Sequence, residues 1–510
     1  MAILQKHRKF LMTHFWHIFL EIYYRRNYLR FLRNRNSLES SQRKILGQIM
    51  KNLRHTQLHN LRHSRYENLT DIVPLQNYSD YQCAIEQQRN SGQSIISKRT
   101  HRFESTSGST DSRKWIPYTS DFLGEINSAA GVWIADLFNQ YPLIKKGRHY
   151  WSLSWLPTEL RQYSNADDSD LFPFLERVML KKTQVVPPAI SKIETSAAAW
   201  WATLVYLASA TDLTFISVWS PTFLLKIVSD LKKLWPQISQ ALNTGDWGQY
   251  DEQIRRHLGE CPVRPNLDFS TESPDFLKKL WPHLALISCW DSSTSATWAH
   301  ELRTLFSPVP IQGKGLWATE GVVSIPVEGK KVLSYLSHFY EFRDLTTQQI
   351  VPSWKLELNK YYQPILWTSS GLLRYPLLDR IKVTGFWGQI PILDFVGRLS
   401  GTDLVGEKLD IDAVAKVFET LKFSGPLTLV AVRKPTPHYV LLYKDSRPQN
   451  LDEELSCWHH YRVAREIGQL ECAKSIRIDS LDTYWNLLNR SPELGQNKIE
   501  LLIERDGLTI

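Results

Sequence analysis

Phe103-Glu104-Ser105-Thr106-Ser107-Gly108-Ser109-Thr110-Asp111-Ser112-Arg113-Lys114-Trp115-Ile116-Pro117 is the stretch on which the reading of this chain turns. Small hydroxyl side chains around a glycine let backbone N–H and side-chain O–H groups converge on phosphate oxygens, and Lys114 adds positive charge a few residues on. It is not a Walker A loop, which needs GxxxxGK[ST]. A Ser/Thr-rich run standing alone is more often a plain solvated connection, so its meaning depends on its company.

Upstream lies a basic arm. Residues Met1 to Arg65 carry 14 Lys+Arg against 2 Asp+Glu, whereas the whole chain is only +9. The remaining 47 basic and 50 acidic residues leave the body at −3. The arm has no proline and reads as helical, with Phe15, Ile18, Phe19 and Ile22 stacking on one face. That face is expected to dock on the rest of the protein. A second reading is peripheral contact with anionic membrane through Trp16, Phe19 and Tyr23 followed by Arg25, Arg26, Arg30, Arg33 and Arg35. No recognition motif accompanies the charge, so nucleic acid is not an expected partner. His55, His59 and His63 have the spacing at which imidazoles can share a metal. No glutamate completes HExxH and Arg54, Arg62 and Arg65 repel a cation, so a solvated face is expected.

The 510 residues suffice for about three domains, and 43% hydrophobic with 22% charged residues excludes a disordered or fibrous chain. Five scattered cysteines without a CxxC point to a reduced, cytoplasmic chain. The run from Phe10 to Tyr24 contains Thr13, His14, His17 and Glu21 and lacks a small-residue cleavage site, so no signal peptide is read there. Asp212 divides the most apolar stretch, Thr195 to Pro221. Each part falls short of the ~20 residues a bilayer needs, and a buried helix is expected.

Downstream, Leu123 to Leu305 reads as mainly helical, broken at Pro157, Pro187, Pro188, Pro236, Pro265 and Pro282. Leu-Lys-Lys-Leu-Trp-Pro occurs twice, ending at Pro236 and Pro282, as two similar helix ends. After Pro308, runs at Val322–Val327, Lys331–Phe342, Leu372–Tyr375 and Ile381–Phe386 read as sheet. Beyond Gly397 a small α+β unit is expected, with strands at Leu427–Val432, Tyr439–Tyr443 and Ile499–Ile503. The turn-forming Ser400-Gly401-Thr402-Asp403 places the boundary close to Arg398. The expected division is a basic helical arm (1–65), a large domain (66–398) and a small mobile domain (399–510).

Further motifs keep the first stretch company. They are Gln312-Gly313-Lys314-Gly315-Leu316-Trp317-Ala318-Thr319-Glu320-Gly321, then His338-Phe339-Tyr340-Glu341-Phe342, then the run from Gly371-Leu372-Leu373-Arg374-Tyr375 through Asp379 to Gly385-Phe386. Phe395-Val396-Gly397-Arg398 and Pro437-His438-Tyr439-Val440 follow. With Glu104 to Pro117, and in this order, they resemble the Gretchen Hagen (auxin-responsive promoter) acyl acid amido synthetases, a branch of the adenylate-forming enzymes. The resemblance runs from about Thr56 to Lys498. It implies an α/β adenylate-forming fold: a large N-terminal domain of sheets, helices and a β-barrel-like part, and a small C-terminal α+β domain. It also implies a ligase that activates a carboxylic acid with ATP as acyl-AMP and passes the acyl group to an amino acid or amine.

By the same resemblance, Ser107, Gly108, Ser109, Thr110 and Lys114 hold phosphates. Thr319 bonds the α-phosphate, Glu320 binds Mg²⁺, Asp379 accepts the ribose hydroxyls, and Arg398 sits at the nucleotide near the hinge. Lys498, in Gln496-Asn497-Lys498, stabilises charge during adenylation, which makes it and Lys114 the catalytic candidates. Departures keep other readings open. Asp111-Ser112 replaces Gly-Gly in the loop, Pro376 replaces an arginine and Leu378 a glycine, so the local backbone must differ. A catalytically drifted nucleotide-binding or membrane-associated scaffold is the rival class, and an acyl-CoA-type ligase the close variant. Neither the acid nor the amine is named by the sequence.

Overall fold

Free of glycine and proline, residues Ala2–Arg33 form one helix, α1. The computed structural model describes residues 2–53, 66–105, 114–152, 182–488 and 499–508, except 266, 268, 400, 403, 406, 408, 422–424 and 467. His55, His59 and His63 therefore lie outside the described residues. Helices α2 (Leu38–Asn52), α3 (Tyr66–Ile72), α4 (Tyr78–Ser91) and α5 (Ser120–Gln140) follow.

The arm docks, but not by the face read from the sequence. His17, Leu20, Tyr24, Tyr28 and Phe31, three or four residues apart, are buried on α5 and its neighbours. Phe15, Ile18, Phe19 and Ile22 point outward, with Phe15 60% and Ile22 63% exposed. The helix is apolar on both faces. The buried one wins because it packs and bonds: Tyr28 donates to Asp136 Oδ1 at 3.0 Å, and His17 meets the Lys145 carbonyl through Nδ1 at 3.1 Å while its ring stacks on His149 with centroids 4.2 Å apart. Gly131 of α5 makes the approach feasible, since a Cβ there would lie 2.4 Å from the Tyr24 ring.

Strands β1 (Thr100–Ser105) and β2 (Trp115–Thr119) pair antiparallel and hold together the two stems of the Ser/Thr-rich loop. Next comes a parallel sheet of β3 (Arg148–Trp151), β4 (Leu213–Ser217), β5 (Leu286–Cys289) and β6 (Ile311–Gly313), in that spatial order, with helices in the crossovers. The helical reading of this region overlooked β3, β4 and β5. They are four or five residues long and almost wholly buried, so they show no alternation. In particular, Thr195–Pro221 is not one helix: Ser196–Ser209 is helical and β4 follows Asp212.

A short hairpin, β7 (Trp317–Ala318) and β8 (Gly321–Val322), carries Thr319 and Glu320 at its tip. It leads into eight antiparallel strands: β9 (Ser324–Val327), β10 (Lys330–Leu333), β11 (Phe339–Asp344), β12 (Ile350–Pro352), β13 (Tyr361–Trp367), β14 (Tyr375–Pro376), β15 (Asp379–Trp387) and β16 (Ile390–Arg398). Their order is β12-β11-β13-β15-β16-β10-β9, with β14 on β13. This is the part expected to be barrel-like. The expected strand Lys331–Phe342 is two, interrupted by a turn, and Leu372–Tyr375 contributes only Tyr375, which enters β14 with Pro376.

Beyond β16, β17 (Gly401–Thr402) pairs with β18 (Leu409–Asp410). A mixed sheet ordered β21-β20-β19-β22 then forms from β19 (Pro426–Val432), β20 (His438–Tyr443), β21 (Lys474–Arg477) and β22 (Leu502–Arg505). Half-exposed β21 was not foreseen, and β22 starts three residues later than read. One side of this sheet packs on its own helices, and the other meets Trp298 and Leu225 of the preceding region.

Candidate active site

The motifs that contain Asp379 and Arg398 place these two charges by register. Asp379 opens β15, Arg398 closes β16, and the antiparallel pairing sets them opposite one another. Arg398 Nε lies 3.5 Å from Asp379 Oδ1, and its Nη1 lies 3.8 Å from Glu500 Oε2. Burial by itself would lower Arg398, but Asp379, Glu500 and Glu320 raise it above its ordinary value.

Glu320 comes to the same place from the β7–β8 tip. Burial, joined by the Asp379 carboxylate, holds it above the ordinary carboxylate range, against the pull of Lys114 and Arg398. Four residues picked out from separate motifs, Lys114, Glu320, Asp379 and Arg398, thus interact electrostatically. Two carboxylates, Asp379 buried and Glu320 partly so, facing two cations favour a ligand that brings a divalent ion and phosphate oxygens together.

The surroundings fix these groups. Tyr118 donates to the Thr319 carbonyl at 3.0 Å, tying β2 to the hairpin tip. Gly315 has φ +78°, and a Cβ there would sit 2.4 Å from the Ser324 carbonyl oxygen, so only glycine suits the turn into the hairpin. His338, fully buried, accepts the Val322 N–H at 3.1 Å through Nε2 and meets Glu125 through Nδ1 at 2.9 Å. Its motif thus supports the hairpin from beneath. Lys114 stands 5.7 Å from the Tyr78 ring centre. Beside Arg398, a cleft opens between Leu316, Phe395 and Gly397 on one side and Ile411, Ile499 and Glu500 on the other.

Ser107, Gly108, Ser109, Thr110 and Lys498 lie outside the described residues. So do Asp111 and Ser112. Of the other departures, Pro376 pairs on β13 in extended form and Leu378 is 52% exposed, so neither disturbs the placement of Asp379. Arg374, in the same motif, is structural: its guanidinium binds the buried Glu341 carboxylate and the Thr70 and Val73 carbonyls. Sequence reasoning missed Glu500, Glu125 and Tyr118, whose roles arise from contacts across hundreds of residues and leave no local pattern. It quoted Lys314 without a role, although a lysine between two glycines beside a buried strand was a usable signal.

Compared with known proteins, residues 28–311 match the GH3 family N-terminal domain and residues 331–398 match the GH3 family central domain. Indole-3-acetic acid-amido synthetase GH3.15 of Arabidopsis thaliana is 24% identical over 205 residues, which cover 34% of this chain and 34% of that protein. The GH3.17 enzyme of the same plant is 24% identical over 319 residues, covering 54% of this chain and 48% of that one. The aligned stretches thus span about a third to a half of these relatives' own length. Among solved structures, the GH3.15 acyl acid amido synthetase superposes with TM-score 0.71 at 18% identity, covering 94% of this chain and 93% of that chain. AtGH3.15 acyl acid amido synthetase in complex with 2,4-DB gives 0.75 at 17% identity, covering 94% of each. At such identity the likeness is one of fold.

Proposed function

The chain belongs to the GH3 family, whose N-terminal domain pattern alone takes in more than half of its residues, and from this we propose that it is an ATP-dependent acyl acid amido synthetase. One observation carries the reading: Lys114, Glu320, Asp379 and Arg398, drawn from four separate motifs, interact at one point between β2, the β7–β8 tip and the β15–β16 ends. The acid's carboxylate oxygen attacks the α-phosphorus of ATP, and pyrophosphate leaves with the bridging electron pair. An amine nitrogen then attacks the acyl carbon, AMP leaves, and the amine proton passes to solvent.

Each residue has a task in that sequence. Asp379 accepts the two ribose hydroxyls, and Arg398, held by Asp379 and Glu500, offsets charge at the nucleotide. Lys114 and the Ser107–Thr110 loop hold phosphate oxygens, with the loop's stems fixed by β1 and β2. Lys498, two residues before Glu500 in sequence, stabilises charge during adenylation. Among the described residues no group of three His, Cys, Asp or Glu can cage a metal. Glu320 therefore fits a magnesium ion that takes its other oxygens from phosphate and water. Such an ion neutralises phosphoryl charge when bound. The proposal includes the division at Arg398 and motion of residues 399–510 between the half-reactions. Product analysis tests it: with ATP, an acid and an amino acid, AMP and the amide are expected, and ADP or no acid-dependent product contradicts it.

The arm supports one further partner. No described helix is long and apolar enough to cross a membrane. The outward face of α1 nevertheless carries exposed Phe15, Phe19, Ile22 and Tyr23, with exposed Arg25, Arg26, Arg30 and Arg33 after them. That order of apolar and cationic groups suits an anionic lipid surface. Flotation with phosphatidylserine vesicles is expected, and its persistence in an F15S/F19S/I22S variant contradicts this placement.

A further inference from the structure

Lys314 leaves β6 into the interior and is 3% exposed, yet among the described residues no carboxylate pairs with it. Its Nζ donates to Ser217 Oγ at 2.6 Å and stands 4.4 Å from the ring centre of Trp133, 4.9 Å from Trp219 and 5.9 Å from Trp151. The nearby acid, Asp291, is engaged elsewhere, by Lys331 at 2.6 Å and Arg303 at 3.7 Å. Buried ammonium groups are ordinarily paired, because desolvation of an isolated charge is costly. Indole faces attract a cation but do not neutralise it.

Around Lys314 the sheet offers more unmet donors. Trp151, Ser217, Ser288 and Gln312 occupy one row across β3 to β6. Ser217 is taken by Lys314, and Gln312 accepts the Trp133 indole N–H at 2.9 Å. Ser288 Oγ and Trp151 Nε1, both buried, have no partner among the described residues. Trp317 completes the cluster: its ring lies tilted against Trp133 and Trp219, with centroids 5.9 and 6.1 Å away, and its indole N–H donates to the Lys314 carbonyl at 2.9 Å. Trp151, Trp219 and Trp317 are only partly buried, so solvent reaches the edge of the cluster. Gly315 and Leu316, next in sequence to Lys314, line the cleft beside Arg398.

We propose that this tryptophan cluster is the specificity element of the acid site, in which Lys314 receives a second anionic oxygen group of a planar acid, distal to the carboxylate that is activated. The indoles stack the flat body of the acid, and Ser288 and Trp151 donate to the same distal oxygens. The preferred class is aromatic dicarboxylic acids. This inference rests on the amido synthetase reading for what happens next, but not for binding itself.

Quenching of tryptophan fluorescence therefore tests it without any turnover. The wild type is titrated with isophthalate and with benzoate, and so are the Lys314→Met variant and, should that fail to fold, Lys314→Gln. Isophthalate is expected to bind at least tenfold more tightly than benzoate, and the substitution to abolish that preference while changing benzoate less than twofold. Equal weakening of both acids places Lys314 on the reacting carboxylate and overturns the proposal. So does an unchanged preference in the variant, or a wild type that does not distinguish the two. Pyrophosphate exchange in parallel separates the two readings. Lys314-dependent quenching without exchange leaves the acid site standing and removes the adenylation, whereas exchange with benzoate alone does the reverse.

Discussion

Asp379 and Arg398 show how much one register decides. They stand 19 residues apart in sequence and face one another because β15 and β16 pair end to end. Removing the proposed ribose acceptor by Asp379→Ala, or the hairpin-tip carboxylate by Glu320→Ala, is expected to cut acid-dependent pyrophosphate exchange on the order of 100-fold or more. Unchanged exchange in both would remove the site assignment. Lys314 gives a second residue-scale outcome. Burial lowers it to about 7, whereas the unfolded lysine keeps its proton to about 10.5. Between those values the unfolded state binds the extra proton, so stability rises with pH across that window. Lys314→Met removes the titration, so denaturant midpoints should show the wild type gaining on the variant from pH 7 to 10. Parallel curves would contradict the burial argument. Thr319, Glu320, Asp379 and Arg398 were legible because each sits in a short motif. Glu500 and Glu125 were not, because their meaning comes from what packs on them.

At the scale of elements, α1 teaches the limit of helical periodicity. Apolar residues recur on two faces, and counting them favours Phe15, Ile18, Phe19 and Ile22. Docking instead selects the face whose polar atoms find partners and whose approach Gly131 permits. Gly131→Val should clash with Tyr24 and cost about 1–3 kcal/mol, with faster tryptic cleavage in the arm. A variant as stable and as resistant as the wild type would show that α1 is not packed there. Asp136, beneath Tyr28, is raised to about 6 by burial, from 3.8 when unfolded. The folded state therefore holds the extra proton between those values. The stabilisation is complete below about pH 4 and is lost as pH rises through 6. Asp136→Asn, which keeps an oxygen acceptor, should raise the melting temperature at pH 7.5 but not at pH 4. Strands followed the same logic: turn-bounded β15, β19 and β20 could be read, β16 was not, and short, fully buried β4 and β5 imitate helix interior.

For the whole molecule, the surplus charge belongs to the arm and the chemistry to a nearly neutral body. That body is built so that three sheets deliver their flanks to one cleft: the segment after the parallel sheet brings Gly315 and Leu316, the antiparallel sheet Gly397 and Arg398, and the segment leading to β22 Glu500. Lys226 with Asp482 at 2.8 Å, and Lys444 with Glu301 at 3.7 Å, also link the C-terminal region to the rest. Ion pairs open to solvent on at least one side contribute little each. The order of motifs made this architecture legible as a family fold, while the choice of acid is written only in three-dimensional neighbours. The most direct test of the central claim is ATP–pyrophosphate exchange by the full chain with magnesium and a panel of aromatic mono- and dicarboxylic, fatty and hydroxy acids, without amine. Acid-dependent exchange with at least one acid is the predicted result. ATP binding with no exchange for any acid would contradict adenylation and leave a nucleotide-binding scaffold.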